Sequence, residues 1–170
     1  MNYKVTNLRK ISLTPQLALH KMMQWCAYQE RSQHEARLKL HQMGLRDHEA
    51  EELLATLISE NFLNEERFAL AFAGGKFRIK HWGRNKIRME LRQHKVTEAC
   101  IRTALQSIDP EVYIQVMGRV IDKKLALIKQ RDARTRFYNT LTYLVSRGFE
   151  SDLARDLLNE KINTNFTETE

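Results

Sequence analysis

Turn-forming residues are scarce in this chain. Its 170 residues include only 2 prolines and 6 glycines, so few tight turns are available and long uninterrupted elements are expected. With many Leu, Ala, Arg, Lys, Glu and Gln residues, that scarcity points to an all-α fold. Cysteine is scarce as well. Cys26 and Cys100 lie far apart, each on an apolar helical stripe, and one such pair makes neither a disulfide framework nor a zinc site. Both are expected as buried free thiols. No stretch approaches the ~20 apolar residues of a membrane span, and Met1-Asn2-Tyr3-Lys4-Val5 lacks the apolar run of a signal peptide. A soluble cytoplasmic protein, not associated with membranes, is expected.

Catalytic signatures are missing too. The sequence holds no Gly-x-Ser-x-Gly, no cysteine with an evident histidine partner and no regularly placed carboxylate pair. Gly74-Gly75-Lys76 invites comparison with a phosphate-binding loop, but Leu70 stands where the other glycine belongs and Phe77 where Ser or Thr would hold magnesium. Both glycines are expected in or near a helix, where they allow close packing or a bend. His34, His41 and His48 recur at intervals of seven without cysteines or carboxylates at ligand spacing. The expectation is no enzyme, no cofactor and no metal.

What the chain has is segregated charge. The net charge is +7. Residues 47–66 hold seven acids and no Lys or Arg, whereas residues 76–95 hold eight bases against Glu90 alone. Residues 119–136 hold seven bases against Asp122 and Asp132. Such a directional field suits a polyanion or an acidic protein surface. The candidate binding residues are Lys76, Arg78, Lys80, Arg84, Lys86, Arg88, Arg92 and Lys95 in the first basic segment, with Lys123, Lys124, Arg131, Arg134 and Arg136 in the second. Arg84, Arg88 and Arg92 recur every four residues beside the inward stripe Ile87 and Leu91. Guanidinium groups in a row can pair bidentately with phosphates or carboxylates. Reversing all three charges is expected to abolish the protein's effect on its partner and leave the fold intact. Phe77 and Trp82 are the only aromatics between Gly74 and Lys95, and Trp82 has the spacing of a hydrophobic staple with Ile87. Nucleic-acid contact would therefore be to phosphate and salt-sensitive.

Apolar periodicity divides the chain into helices. After a loose arm (1–14), in which Tyr3 and Val5 alternate as in a short strand, Thr14-Pro15 starts a helix bearing Leu19, Met22, Met23, Cys26 and Ala27. Ser32-Gln33-His34-Glu35 has the form of a capping box, and Gly44 ends the helix that it opens. Ala50, Leu53, Leu54, Leu57 and Ile58 mark a third helix. Asn64 can cap a fourth, whose stripe is Phe68, Phe72, Gly75 and Ile79. Gly83 and Thr97 can cap the next two, the latter carrying Ile101, Ala104, Leu105 and Ile108. Asp109-Pro110-Glu111 starts a long helix with Val112, Val116, Val120 and Leu127 as its inner face. Phe137, Leu141, Leu144 and Val145 mark an eighth, and Leu153, Ala154, Leu157 and Leu158 a ninth. Residues 163–170 lack a pattern and are expected to be disordered.

These helices fall into threes. Leu40, Leu91 and Leu144 end the second helices, followed after four residues by Gly44-Leu45, Lys95-Val96 and Gly148-Phe149 at a period of 51 and then 53. Self-similarity of this kind signals a helical array. The expected architecture is an elongated, curved array of three tandem three-helix repeats spanning 15–61, 62–108 and 109–162.

One stretch also carries a resemblance. Glu65, Glu66, Arg67, Phe68 and Ala69, followed by the basic run, then Gly83, Ile87 and Leu91, then Val96, Ile101 and Leu105, resemble the RecX family of bacterial RecA regulators. Two positions depart from its pattern: Asn64 stands where the family tends to have an acid, and Lys95 where it usually places a glycine. The resemblance, strong over the central unit and by pattern over 15–162, implies a cytoplasmic modulator, mainly an inhibitor, of RecA recombinase. Such a protein binds the RecA–DNA filament and restrains ATP hydrolysis, strand exchange and co-protease activity in DNA repair, homologous recombination and the SOS response. The implied partners are that filament and single- or double-stranded DNA through phosphate contacts, with the regulator a monomer. Two other readings stand beside it. One is a DNA-binding protein acting alone through helix-turn-helix-like units, the helix from Arg84 entering a major groove. The other is an interaction scaffold whose contact surface is the acidic span 47–66.

Overall fold

The computed structural model describes residues 13–128 and 132–167. Among them are nine helices and no strands: α1 Pro15–Tyr28, α2 Gln33–Gln42, α3 Asp47–Ser59, α4 Glu65–Lys80, α5 Arg84–Gln93, α6 Glu98–Gln106, α7 Pro110–Leu127, α8 Ala133–Ser146 and α9 Ser151–Thr167. The fold is an all-α multi-helix repeat. Packing divides the chain into two compact units, the first ending at Phe68 and the second beginning at Ala69, so α4 starts in one and continues in the other.

The start signals act as capping chemistry requires. Thr14 Oγ1 accepts from the Leu17 amide at 3.4 Å, Asn64 Oδ1 from Arg67 at 2.9 Å and an Asp109 carboxylate oxygen from Val112 at 2.9 Å. The Ser32–Glu35 capping box is complete, with both side chains accepting from the other residue's backbone amide at 3.1 and 2.9 Å. Each cap satisfies an amide that has no partner inside its helix. Asp132, not singled out in the sequence, caps α8 through the Thr135 amide at 2.7 Å.

In the first unit, α1 to α3 close around Ala18, Met22, Cys26, Ala36, Leu40, Leu45, Leu54, Leu57 and Leu63. Burial there pushes the Cys26 thiol up to about 11, so it stays protonated and inert at neutral pH. Arg67 ties the start of α4 into this unit, donating Nε to Glu30 at 2.6 Å and Nη2 to the Asn61 carbonyl at 3.0 Å.

The 51- and 53-residue period has a backbone counterpart. At the end of α2, α5 and α8 a left-handed residue follows the C-cap: Gly44 at φ 89°, Lys95 at φ 59° and Gly148 at φ 90°. The next residue then donates its amide to the carbonyl five positions back, Leu45 to Leu40, Val96 to Leu91 and Phe149 to Leu144, at 3.1–3.3 Å. The residue pair closed by each bond is buried and apolar. This is the Schellman ending three times over, and it explains why leucine, a turn residue and an apolar residue recur together.

In the second unit the first turn of α5 meets the end of α8. Gly83 donates its amide to the Arg147 carbonyl at 2.9 Å, and Asn85 donates to Gly148 at 3.0 Å. The positive end of one helix thus caps the negative end of another. The approach excludes side chains. A Cβ on Gly83 would lie 2.2 Å from the Gly148 carbonyl, and one on Gly148 would lie 2.3 Å from Lys86 Cβ. Beneath the crossing Tyr113, fully buried, packs between Phe77 and Phe149 with ring centres 5.7 and 5.5 Å away.

Several expected faces are rotated. On α4, Ile79 is 75% exposed, and the stripe that goes inward is Phe68, Ala69, Ala73 and Phe77. Small alanines one position along give the same periodicity as the larger residues chosen from the sequence, and packing takes the alanines. On α7, Val112 and Leu127 are exposed, while Tyr113, Met117 and Ile121 join Val116 and Val120 inside. Ala27, Ile58 and Val145 also face solvent, and Cys100 is half-buried. A Cβ on Gly75 would meet nothing within 4 Å, so no close packing explains that glycine. The ninth helix runs on to Thr167, past the point where its apolar stripe ends. A helix propagates beyond its packed turns at little cost once nucleated, so residues 163–167 are helical despite their lack of pattern. The arm, apart from 13–14, lies outside the described residues, as do residues 129–131 and 168–170.

Two glycine-related substitutions test this account. Gly83→Ala, where φ is ordinary and only the clash acts, is expected to destabilise the protein by roughly 2 kcal/mol or more, as overpacking does. Lys95→Gly is expected to stabilise it by about 0.5–1 kcal/mol by relieving a left-handed lysine. Urea denaturation of both variants checks the two signs.

Candidate interaction surface

The second unit carries the first basic segment, and its side chains divide into groups with different commitments. Arg84 is spent on the junction. Its backbone amide donates to the Tyr113 hydroxyl at 3.1 Å, and its guanidinium stacks 4.0 Å from that ring. The guanidinium also donates to the Ile108 carbonyl at 3.4 Å and lies 3.8 Å from a Glu150 oxygen. The Tyr113 hydroxyl in turn donates to Glu150 at 2.6 Å. Burial first, and then that bond to Glu150, holds this phenol far above its ordinary value, so it remains a donor at any physiological pH.

The remainder of the arginine row is not uniform either. Arg92 donates to both Glu98 oxygens, at 2.6 and 3.2 Å, a bidentate exposed pair. Arg88 donates only to the neutral Asn85 side chain at 3.0 Å. The three arginines are therefore not equivalent: Arg84 belongs to the packing, Arg92 is already paired, and Arg88 makes no ion pair among the described residues. Periodicity put them on one helix face but could not show what stands opposite that face.

Arg88 faces a cleft of about 370 Å³ lined by Arg84, Arg88, Arg102, Leu105, Gln106, Ile108 and Pro110. Arg102 lies outside both basic runs, which is why charge counting missed it; its place four residues after Glu98 on the same helix was the available signal.

A second group surrounds Trp82. Lys76 Nζ lies 5.0 Å from the ring centre and Lys86 Nζ 4.6 Å, within cation–π range. Lys76 is also 5.0 Å from Phe72, which packs edge-on against His94. Neither lysine is in an ion pair among the described residues, so both charges remain available. Nearby Arg78, Lys80 and Lys95 are exposed.

The second basic segment adds less. Lys124 lies 4.9 Å from the Tyr143 ring and Arg134 5.9 Å from Tyr138, while the Arg136 Nε is buried without a partner. Arg131 is outside the described residues. Lys123, with Arg147 and Arg119, faces His81, whose carbonyl accepts from Arg147 at 3.4 Å. Burial first, and then these three cations, holds His81 below the ordinary histidine range.

The chain and its fold have counterparts among known proteins. A family model described as RecX, second three-helix domain, matches residues 64–105. The regulatory protein RecX of Prosthecochloris aestuarii is 33% identical over 143 residues, covering 84% of this chain and 92% of that one. That of Clostridium botulinum is 31% identical over 135 residues, 78% of this chain and 63% of the relative. The chain spans only 56% of the length of the Clostridium tetani relative. A crystal structure of regulatory protein RecX aligns with TM-score 0.79 at 21% identity, covering 86% of this chain and 71% of that one. RecX from Lactobacillus salivarius aligns with TM-score 0.78 at 16% identity, covering 86% and 95%. At these identities the two structures speak for the fold.

The His81 environment yields a pH dependence. A base whose folded value is depressed binds fewer protons folded than unfolded, so its contribution is complete above the unfolded value near 6.5 and is lost as pH falls below it. Wild-type stability should therefore drop between about pH 7 and pH 5 more steeply than that of His81→Asn, which also tolerates the left-handed backbone at this position. Urea denaturation at the two pH values measures the difference; parallel losses would refute it.

Proposed function

The chain belongs to the RecX family, and from that premise we propose that it regulates RecA recombinase, mainly as an inhibitor. It would do so by binding the RecA–DNA filament and restraining ATP hydrolysis, strand exchange and co-protease activity. The observation that carries this reading is the cationic surface of the second unit, where Lys76 and Lys86 gather on Trp82 with no carboxylate to answer them. Cations held on a half-buried ring are presented to an anionic partner with little freedom left to lose. Exposed Arg78, Lys80 and Lys95 widen the same basic segment. Contact with filament DNA would run through phosphates, and the acidic span 47–66 and the cleft beside Arg88 offer protein contacts of both signs.

The stand-alone helix-turn-helix reading is less favoured. A recognition helix brings its N-terminal residues to base edges. The first turn of α5 is instead engaged with Arg147, Gly148 and Tyr113.

RecA-catalysed ATP hydrolysis on single-stranded DNA, titrated with this protein below one molecule per RecA protomer, tests the proposal. Inhibition is expected. The pair Lys76→Glu and Lys86→Glu should need about tenfold more protein, and its DNA affinity should fall less steeply with salt because about two phosphate contacts are gone. No inhibition by the wild-type protein, with salt-sensitive DNA binding on its own, would instead favour the helix-turn-helix reading.

A further inference from the structure

The cleft beside Arg88 combines cationic and apolar side chains. Guanidinium groups from α5 and α6 stand at its rim, Arg88 and Arg102, while Leu105 and Ile108 form a buried apolar floor and Pro110 an exposed apolar edge. At about 370 Å³ it falls within the ~300–1,000 Å³ of pockets that accept small ligands or anchoring side chains. No aromatic ring lines it, so it offers no stacking surface for a base. Phosphate backbones do not call for an apolar floor, whereas a peptide places aliphatic and acidic side chains side by side.

A carboxylate of the chain itself lies near these arginines. Arg92 grips Glu98 with two hydrogen bonds, and Arg88 and Arg102 act on that carboxylate as well, all three holding it below the usual carboxylate range. Only Arg92 is bonded to that carboxylate, which leaves the charges of Arg88 and Arg102 over. Neither Arg88 nor Arg102 is in an ion pair among the described residues.

We propose that this cleft is a docking site for an acidic peptide segment of a partner protein, its carboxylates pairing with Arg88 and Arg102 and an adjacent aliphatic side chain resting on Leu105, Ile108 and Pro110. The inference rests on the regulatory reading only in taking the partner to be a protein. It assigns separate work to two parts of one basic unit: the cations on Trp82 meet phosphate, and the cleft meets carboxylate.

Fluorescence anisotropy of the full chain with three labelled probes separates the possibilities. The probes are a short peptide of Glu, Asp and Leu, an oligoglutamate of equal length and a single-stranded oligothymidylate. The Leu-containing peptide should bind best. Arg88→Glu and Arg102→Glu should each weaken it about tenfold, the scale of losing a charge-assisted hydrogen bond, and should leave oligothymidylate binding nearly unchanged. Arg102 is exposed, so Arg102→Glu decides the matter if Arg88→Glu unfolds. Equal binding of oligoglutamate, an equal loss for oligothymidylate, or no saturable peptide binding by the wild-type chain would each overturn the proposal. Retained inhibition of RecA alongside absent peptide binding would sink the cleft alone. Peptide binding without inhibition would sink the RecA reading alone.

Discussion

Two glycines crossing at backbone distance set the terms for the second unit. Where the first turn of α5 meets the end of α8, amide and carbonyl groups from two helix termini answer each other directly. That contact needs the absence of a Cβ at both positions. It satisfies groups that a helix leaves open at either end, in a place too closed for water to do so. Once the backbones are that close, Tyr113 is sealed beneath them, its hydroxyl has only Glu150 and the Arg84 amide to turn to, and the Arg84 guanidinium lies flat on its ring. One charged residue of the basic run is thereby converted into packing.

The repeat was legible because its signal is local. A Schellman ending needs a leucine, a residue that tolerates positive φ and an apolar residue at fixed offsets, and those offsets are written in the chain at Leu40, Leu91 and Leu144. Caps are local too, and Thr14, Ser32, Asn64 and Asp109 act where their neighbours imply. Lys95 shows the limit of reading by residue type: it takes the left-handed position that glycine holds at the other two endings, at φ 59°. The motif's hydrogen bonds and its buried Val96–Leu91 pair outweigh about 1 kcal/mol of backbone preference.

The faces were less legible. A helix stripe read at spacings of three and four is fixed only to within a residue: on α4 and α7 the buried face extends one position beyond the expected stripe, although Phe68, Val116 and Val120 lie inside as expected. Ile79 and Leu127 keep the period but end up exposed, while the fold buries Ala73 and Tyr113, the positions that its packed helices enclose. The junction itself was invisible. Gly83 reads as an N-cap and Gly148 as a helix end, and both readings hold, yet neither says that the two residues touch.

The basic residues follow the same logic, one step removed. Charge counting treats Arg84, Arg88 and Arg92 as equivalent, since each carries one positive charge at a regular interval. What distinguishes them is the partner that each finds, which is a tyrosine ring for the first, a neutral amide on its own helix for the second and a carboxylate for the third. A paired guanidinium in water contributes little to recruiting a further anion, and one folded into a junction contributes less. The unpaired charge of this basic helix is therefore smaller than its formal charge, and Arg102, from outside the run, lines the same cleft as Arg88. Uncompensated charge, rather than charge itself, is what a partner can read.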